Sequence, residues 1–202
     1  EAADVAPTEL GLKINADGNV HTVENIAGFV GSDTVAAALA TNIAEAESGT
    51  LLVDAGTNGE IVLAAAGELY AASCAAGPAF EGARIEQGSR AVAGAIEAVV
   101  VNGDDNDIDL DVIGAGPPQS ICGSGLIDAV AVMRELGVLD RTGRIVEPAE
   151  LPDGTSERIR SRLARKGSEP AFILSHRPLV VLTQQDIRQT QLAKAAIRTG
   201  IE

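Results

Sequence analysis

Asp54 follows the apolar residues Leu51, Leu52 and Val53 and leads into Ala55-Gly56-Thr57-Asn58-Gly59. This order of residue types suits a phosphate carried with its magnesium ion. Gly56 has no side chain, so a ligand oxygen can come close to the backbone N–H groups around it. Thr57 adds a hydroxyl. Asn58-Gly59 is a strong hairpin signal, because both residues tolerate positive φ. A carboxylate beside such amides offers what Mg²⁺ takes, one or two carboxylates completed by waters and phosphate oxygens. A plain β-hairpin with a polar tip has the same pattern, so residues 51–60 alone leave both readings open.

Two further glycine-bearing segments bear on the choice. Residues 73–86 read SCAAGPAFEGARIE and bring Gly77, Pro78, Glu81 and Gly82 close together. Gly123-Ser124-Gly125 opens an apolar-periodic stretch, where free N–H groups and the positive end of a helix dipole favour an anion or a nucleotide edge. Each segment is a weak signal by itself. Together they supply what a nucleotide cleft between strand ends requires. Glu81 is the residue a proton-abstracting site would use, although an acid in the first turn of a helix has a structural reading as well. Cys74 and Cys122 are too few for a disulfide framework or a four-cysteine cluster and read as small buried thiols. His21 and His176 lack zinc-ligand spacing.

These turns need elements to hold them. The pattern predicts strands over 10–14 and 21–30, with a turn at Asp17-Gly18-Asn19 between them. An Ala-rich helix over 34–44 follows, capped from Gly31-Ser32-Asp33. Strands over 51–56, 60–65 and 69–75 form an antiparallel meander. Pro78 opens a short helix carrying Glu81. Strands over 96–101 and 108–113 flank an acidic turn at 102–107, which reads as a solvated hairpin tip because the glycine and glutamate spacing of a calcium loop is missing. A loop over 114–120 leads to a helix whose Leu126, Ala129, Val130, Met133 and Leu136 share a face, with Gly137 as its stop. A loop over 148–154, a basic helix over 158–166 and a strand over 179–182 come next. Thr183 and Asp186 resemble a capping box that starts a helix to about residue 199, with Gly200 after it. The alternation indicates a mixed α/β fold.

Composition narrows the function classes. With 202 residues, 46% hydrophobic but only 2% aromatic and no Trp, the core is built from Ala, Val, Ile and Leu. The charge of −14 is unevenly spread, at −9 over residues 1–60, −7 over 61–120 and +2 over 121–202. An acidic front argues against nucleic acid as a partner. The basic run at 158–166 reads as a solvated helix face or a contact for an acidic partner. No apolar run reaches bilayer length and no signal-like sequence opens the chain, so no membrane role is expected and a cytoplasmic location is the default.

Four blocks, VDAGTNGEIVL, CAAGPAFEGARI, ICGSGLIDAVA and LTQQDIRQTQLAKAAI, resemble in this order the C-terminal part of the reductive activators of corrinoid proteins. That family belongs to the acetate and sugar kinase, heat-shock chaperone and actin superfamily of ATPases. The resemblance covers about residues 20–200. Asp-x-Gly-Thr marks only the superfamily, whereas the four blocks together are specific to the family.

The resemblance implies an α/β fold, a ribonuclease H-like lobe of an actin-like ATPase with a mixed sheet, an antiparallel meander and flanking helices. It implies ATP and Mg²⁺ as ligands, a corrinoid protein as partner, and ATP-driven electron transfer from an iron–sulfur cluster to cobalt, in one-carbon metabolism. Asp54 would be the catalytic residue and hold Mg²⁺ directly or through water. Gly56, Thr57, Asn58 and Gly59 match the second phosphate turn, and Gly123, Ser124 and Gly125 match a glycine turn near the nucleotide. Gly77, Pro78, Glu81 and Gly82 line up with the family's own glycine-rich block. Members also carry a 2Fe–2S domain with clustered cysteines and an earlier lobe with its own Asp-Gly-Thr turn. This chain has neither, so residues 1–202 are expected to be one lobe of a longer protein whose isolated form binds ATP weakly or not at all. Two other readings stand beside this one. The first is a small-molecule kinase using Glu81 as base, and the second a docking or homodimerisation module using residues 184–199 and the basic run.

Overall fold

The computed structural model describes residues 2–104 and 106–202; Glu1, and Asp105 within the expected acidic turn, lie outside the described residues. Two units divide the chain. The first takes the residues up to Ala55, then Gly59–Cys74 and Gly200–Glu202. In it β1 (Ala3–Val5) pairs antiparallel with β2 (Val20–Thr22). The Asp4 carboxylate ties this pair together by accepting from Asn19 Nδ2 at 2.6 Å and meeting His21 Nδ1 at 3.0 Å, and these two contacts hold its carboxyl below the ordinary range.

The strand expected over 10–14 does not form. Pro7 opens a 3-10 turn, Pro7–Leu10, that Gly11 closes in the left-handed region; proline fixes φ and lacks the N–H that a ladder needs. The strand expected over 21–30 shrinks to β2, and a tight turn forms at Ala27–Val30, where the Val30 N–H donates to the Ala27 carbonyl. Helix α1 (Ser32–Thr41) starts from Gly31, with the Asp33 carboxylate on the Thr34 N–H at 2.8 Å. It ends earlier than expected because Asn42 takes the left-handed conformation that asparagine tolerates.

The expected meander is present as β3 (Thr50–Ala55), β4 (Gly59–Ala65) and β5 (Glu68–Cys74), antiparallel throughout. Alternation along the strands turns Leu52, Val62 and Ala64 toward Ile43, Ala38 and Ala46, the core of this unit. One local expectation fails. Gly59 is already paired with Ala55, and neither Asn58 nor Gly59 has positive φ. The positive-φ pair lies instead at Ala66-Gly67, in the two-residue turn between β4 and β5, as a primed hairpin turn demands.

The second unit comprises Gly56–Asn58 and Ala75–Thr199. Here β6 (Ala95–Asn102) pairs antiparallel with β7 (Asp107–Val112) and parallel with the short β8 (Ser120–Ile121). Helix α2 (Gly123–Glu135) packs on β6 and buries Leu126, Ala129 and Met133, and Gly137 follows it at φ 71° as expected. The basic helix expected over 158–166 is broken. Helix α3 (Glu157–Arg160) lasts one turn, capped by the Ser156 hydroxyl on the Ile159 N–H. The chain then enters β9 (Leu163–Lys166), which pairs with β10 (Glu169–His176), itself paired with β11 (Leu179–Thr183). The reason is Arg162, which is buried, fork-bonded to Asp107 on β7 at 2.6 and 2.9 Å, and bonded to the Ile173 and Leu174 carbonyls. A cation satisfied in the interior cannot sit on a solvated helix face.

Helix α4 (Gln184–Ile201) opens with the expected capping box. The Thr183 N–H donates to Asp186 Oδ2 at 2.9 Å and the Asp186 N–H to Thr183 Oγ1 at 3.2 Å. It runs past Gly200 rather than stopping there. A Cβ at Gly200 would press within 2.6 Å of Ile61 Cδ1, so this glycine serves a close contact and not a cap. The core of the second unit is aliphatic apart from Phe172, around Ile96, Leu126, Met133, Leu174, Leu182 and Ile187. Among the described residues no helix is long and apolar enough to cross a membrane.

Candidate functional site

Thr57 lies in the three-residue turn Gly56–Asn58, and both polar groups of its backbone are engaged. Its N–H donates to Glu81 Oε1 at 2.9 Å, and its carbonyl accepts from the Gly77 N–H at 2.8 Å. Glu81 ends the 3-10 turn Pro78–Glu81, which forms where expected because proline suits the first position of a helical turn. Gly77 precedes it at φ 78°, a conformation glycine adopts without strain. Glu81 is exposed, and its bonds to the Thr57 hydroxyl and backbone N–H hold its carboxyl below the ordinary range. At neutral pH it is an anion seated on the amide of the turn. A Cβ at Gly56 would stand 3.3 Å from the Asn58 carbonyl oxygen and 3.6 Å from Glu81 Oε1.

The other side of the same 3-10 turn receives the start of α2. A Cβ on Gly123 would collide with the Phe80 carbonyl, and one on Gly125 with the Ile96 carbonyl. Gly82, at φ 80°, faces the Ser89 backbone equally closely. The structure thus brings the three glycine-bearing segments of this unit together at Pro78–Glu81. Close approach of backbone to backbone accounts for Gly82, Gly123 and Gly125. The Ser124 hydroxyl donates to the Glu97 carbonyl at 2.8 Å and stands 3.4 Å from Cys122 Sγ. Cys122 is buried and Cys74 half-buried, both as free thiols. Asn58 is exposed.

Asp54 and Gly59 belong to the meander of the first unit. Asp54 is exposed on β3, in register with Glu60. Gly59 is buried, and its carbonyl accepts from Cys74 Sγ at 3.2 Å.

Behind the glycine-rich block stands a layer of clamps that sequence reasoning missed. The buried Asp186 carboxylate takes the Glu86 N–H at 2.9 Å besides its own cap. Gln87 bonds the β11 edge as a strand residue would, donating to the Leu179 carbonyl at 2.9 Å and accepting from the Val181 N–H at 2.8 Å. Gln184 bonds the Gly143 carbonyl and the Ile145 N–H, while Arg188 and Gln191 both donate to the Thr142 carbonyl. The available signal was the spacing of 184, 188 and 191, which puts three amide or guanidinium groups on one helix face.

An oxyanion fits this site. The Thr57 N–H already holds a carboxylate oxygen, and Gly56 leaves open the space that a side chain would fill. Among the described residues no three His, Cys, Asp or Glu side chains gather to hold a metal ion.

Comparison with known proteins adds an independent finding. The family described as the C-terminal domain of RACo, the ASKHA domain, matches residues 48–202, and the RACo middle region matches residues 1–46. A corrinoid activation enzyme, RamQ, from Eubacterium limosum is 36% identical over 198 residues, covering 94% of this chain and 32% of its own length. A solved structure, titled reductive activator for corrinoid, iron-sulfur protein, superposes with a TM-score of 0.75 at 34% identity, covering 98% of this chain and 31% of the other. This chain therefore spans about a third of the length of these relatives.

Proposed function

Because the chain belongs to the RACo family, with the actin-like ATPase fold of its C-terminal domain, we propose that it is the nucleotide-binding part of a reductive activator of a corrinoid protein. The observation that carries this reading is the Gly56–Asn58 turn, whose Thr57 N–H already takes an anionic oxygen from Glu81. In the proposed complex the turn amides hold phosphate, and Asp54, two residues earlier in the chain, takes Mg²⁺ directly or through water. Gly59 lets the strand leave the turn, Gly77 and Gly82 bracket the block that positions it, and Gly123, Ser124 and Gly125 face the nucleotide. One carboxylate suffices on the protein side, since Mg²⁺ keeps several waters and phosphate oxygens.

ATP, when bound, supplies the hydrolysis that drives electrons uphill to cobalt. The part of this chain is to bind phosphate and transmit its presence. The turn is tied to Pro78–Glu81, and Pro78–Glu81 abuts the first residue of α2. A ligand that exchanges bonds at Thr57 therefore acts on the packing of α2, and its differential affinity for two arrangements sets how far it shifts them. The same proposal makes residues 1–202 part of a longer protein whose remainder carries the 2Fe–2S cluster, acting in one-carbon metabolism in the cytoplasm, with room for a homodimer. A kinase would need Glu81 poised over a substrate hydroxyl; its engagement by Thr57 favours the activator reading.

The test is ATP consumption by the full-length protein. Stimulation by a corrinoid protein, and none by sugars or small carboxylates, supports the activator. Stimulation by a sugar or carboxylate alone supports the kinase and overturns it.

A further inference from the structure

The amide that the proposed function assigns to phosphate is already occupied. Thr57 N–H donates to Glu81 Oε1, an oxygen that would stand in ordinary van der Waals contact, 3.6 Å, with a Cβ at Gly56. Glu81 is exposed at the end of a 3-10 turn, so its side chain can swing into solvent without unmaking the Gly77 to Thr57 bond that holds the turn from the other side. A phosphate oxygen and the Glu81 carboxylate require the same donor and carry the same sign of charge. They cannot share the N–H, and side by side they repel.

We propose that Glu81 is a resident anion on the phosphate turn and that the phosphates of a nucleotide bind by displacing its carboxylate from the Thr57 N–H. This rests on the nucleotide reading of the turn. Glu81 keeps the empty turn in its binding shape, a positioning role, and sets a threshold that only a ligand with more than one phosphate contact overcomes. It also links occupancy to α2. The carboxylate leaves the turn when phosphate arrives, and Pro78–Glu81, against which Gly123 packs, is freed on that side.

Glu81→Gln tests this in the full-length protein, because glutamine keeps an oxygen for the Thr57 N–H and removes only the charge. Calorimetric titration with Mg·ATP and with adenosine is compared between wild type and variant. The expected result is ATP affinity tightened on the order of fivefold, the effect of removing one like charge at an exposed site, with adenosine affinity unchanged. Equal or weaker ATP binding in the variant overturns the exchange and leaves the nucleotide reading standing. Equal tightening of ATP and adenosine also overturns it, because the effect is then structural. If neither protein binds ATP, the nucleotide reading fails and the exchange fails with it.

Discussion

The backbone N–H of Thr57 donates to the Glu81 carboxylate 24 residues further along the chain, at 2.9 Å. This bond ties the Gly56–Asn58 turn to the Gly-Pro-Ala-Phe-Glu-Gly block within the second unit. The block supplies the anion that holds the turn open and, on its other side, the carbonyl of Phe80 against which α2 begins. A turn fixed from both of its backbone groups is preorganised, which lowers the ordering cost that a ligand must meet.

Gly125→Ala should destabilise the folded protein by about 1–3 kcal/mol, since a methyl there strikes the Ile96 carbonyl and the backbone must move. Gly77→Ala meets no neighbouring atom and should cost only the backbone conformation, φ 78° with ψ 162°, a region essentially reserved for glycine, roughly 1–3 kcal/mol. Urea denaturation of both variants checks this. A Gly125→Ala protein as stable as wild type would show that α2 does not need its close approach to β6.

Arg162→Ala should cost about 3–5 kcal/mol, because it leaves the Asp107 carboxylate, only 19% exposed, without its partner. The pair also has a pH signature. Burial disfavours the charged form of Asp107, but the Arg162 guanidinium, the Ile108 N–H and the nearby Arg158 charge together outweigh it and hold the carboxyl below its ordinary value of 3.8. The stabilisation is therefore fully present above pH 3.8 and is lost as pH falls through the lower folded value. Denaturation curves of wild type and Asp107→Asn should converge in that acidic range. A constant gap down to the lowest pH at which both fold would contradict the assignment.

Thr183 and Asp186 cap each other, so Thr183→Ala should cost about 1 kcal/mol and Asp186→Ala, which removes a buried acceptor of three donors, roughly 2–3 kcal/mol, the two together less than their sum. Only Asp186→Ala also frees the Glu86 N–H. Hydrogen exchange at Glu86 should accelerate in that variant and stay slow in Thr183→Ala. Equal protection in both would remove Asp186 as the clamp behind the glycine-rich block.

Local rules made much of this legible from sequence. Alternation located the meander, helical spacing located α2, and Pro78 and Thr183 each announced the helical turn they start. Long-range satisfaction hid the rest. Arg162 looks like one more surface cation until its partner appears 55 residues away on β7. Gly200 looks like a helix stop until Ile61 is seen against it, and Asn58-Gly59 looks like a primed turn until Gly59 is found paired in the ladder. At the candidate site the three glycine-bearing segments singled out in the sequence meet at Pro78–Glu81. The sequence did not reveal that Gly123 and Gly125 have a packing reason of their own, nor that Glu81 and Thr57 are bonded.

The most direct test is calorimetric titration of the full-length protein with Mg·ATP, wild type against Asp54→Ala. If the proposed function holds, Asp54→Ala takes away the carboxylate assigned to the metal and leaves the turn amides with phosphate contacts alone. Affinity should fall at least about tenfold, the loss of roughly 1.4 kcal/mol. Unchanged affinity would contradict the assignment of Asp54 and its turn to Mg²⁺ and phosphate.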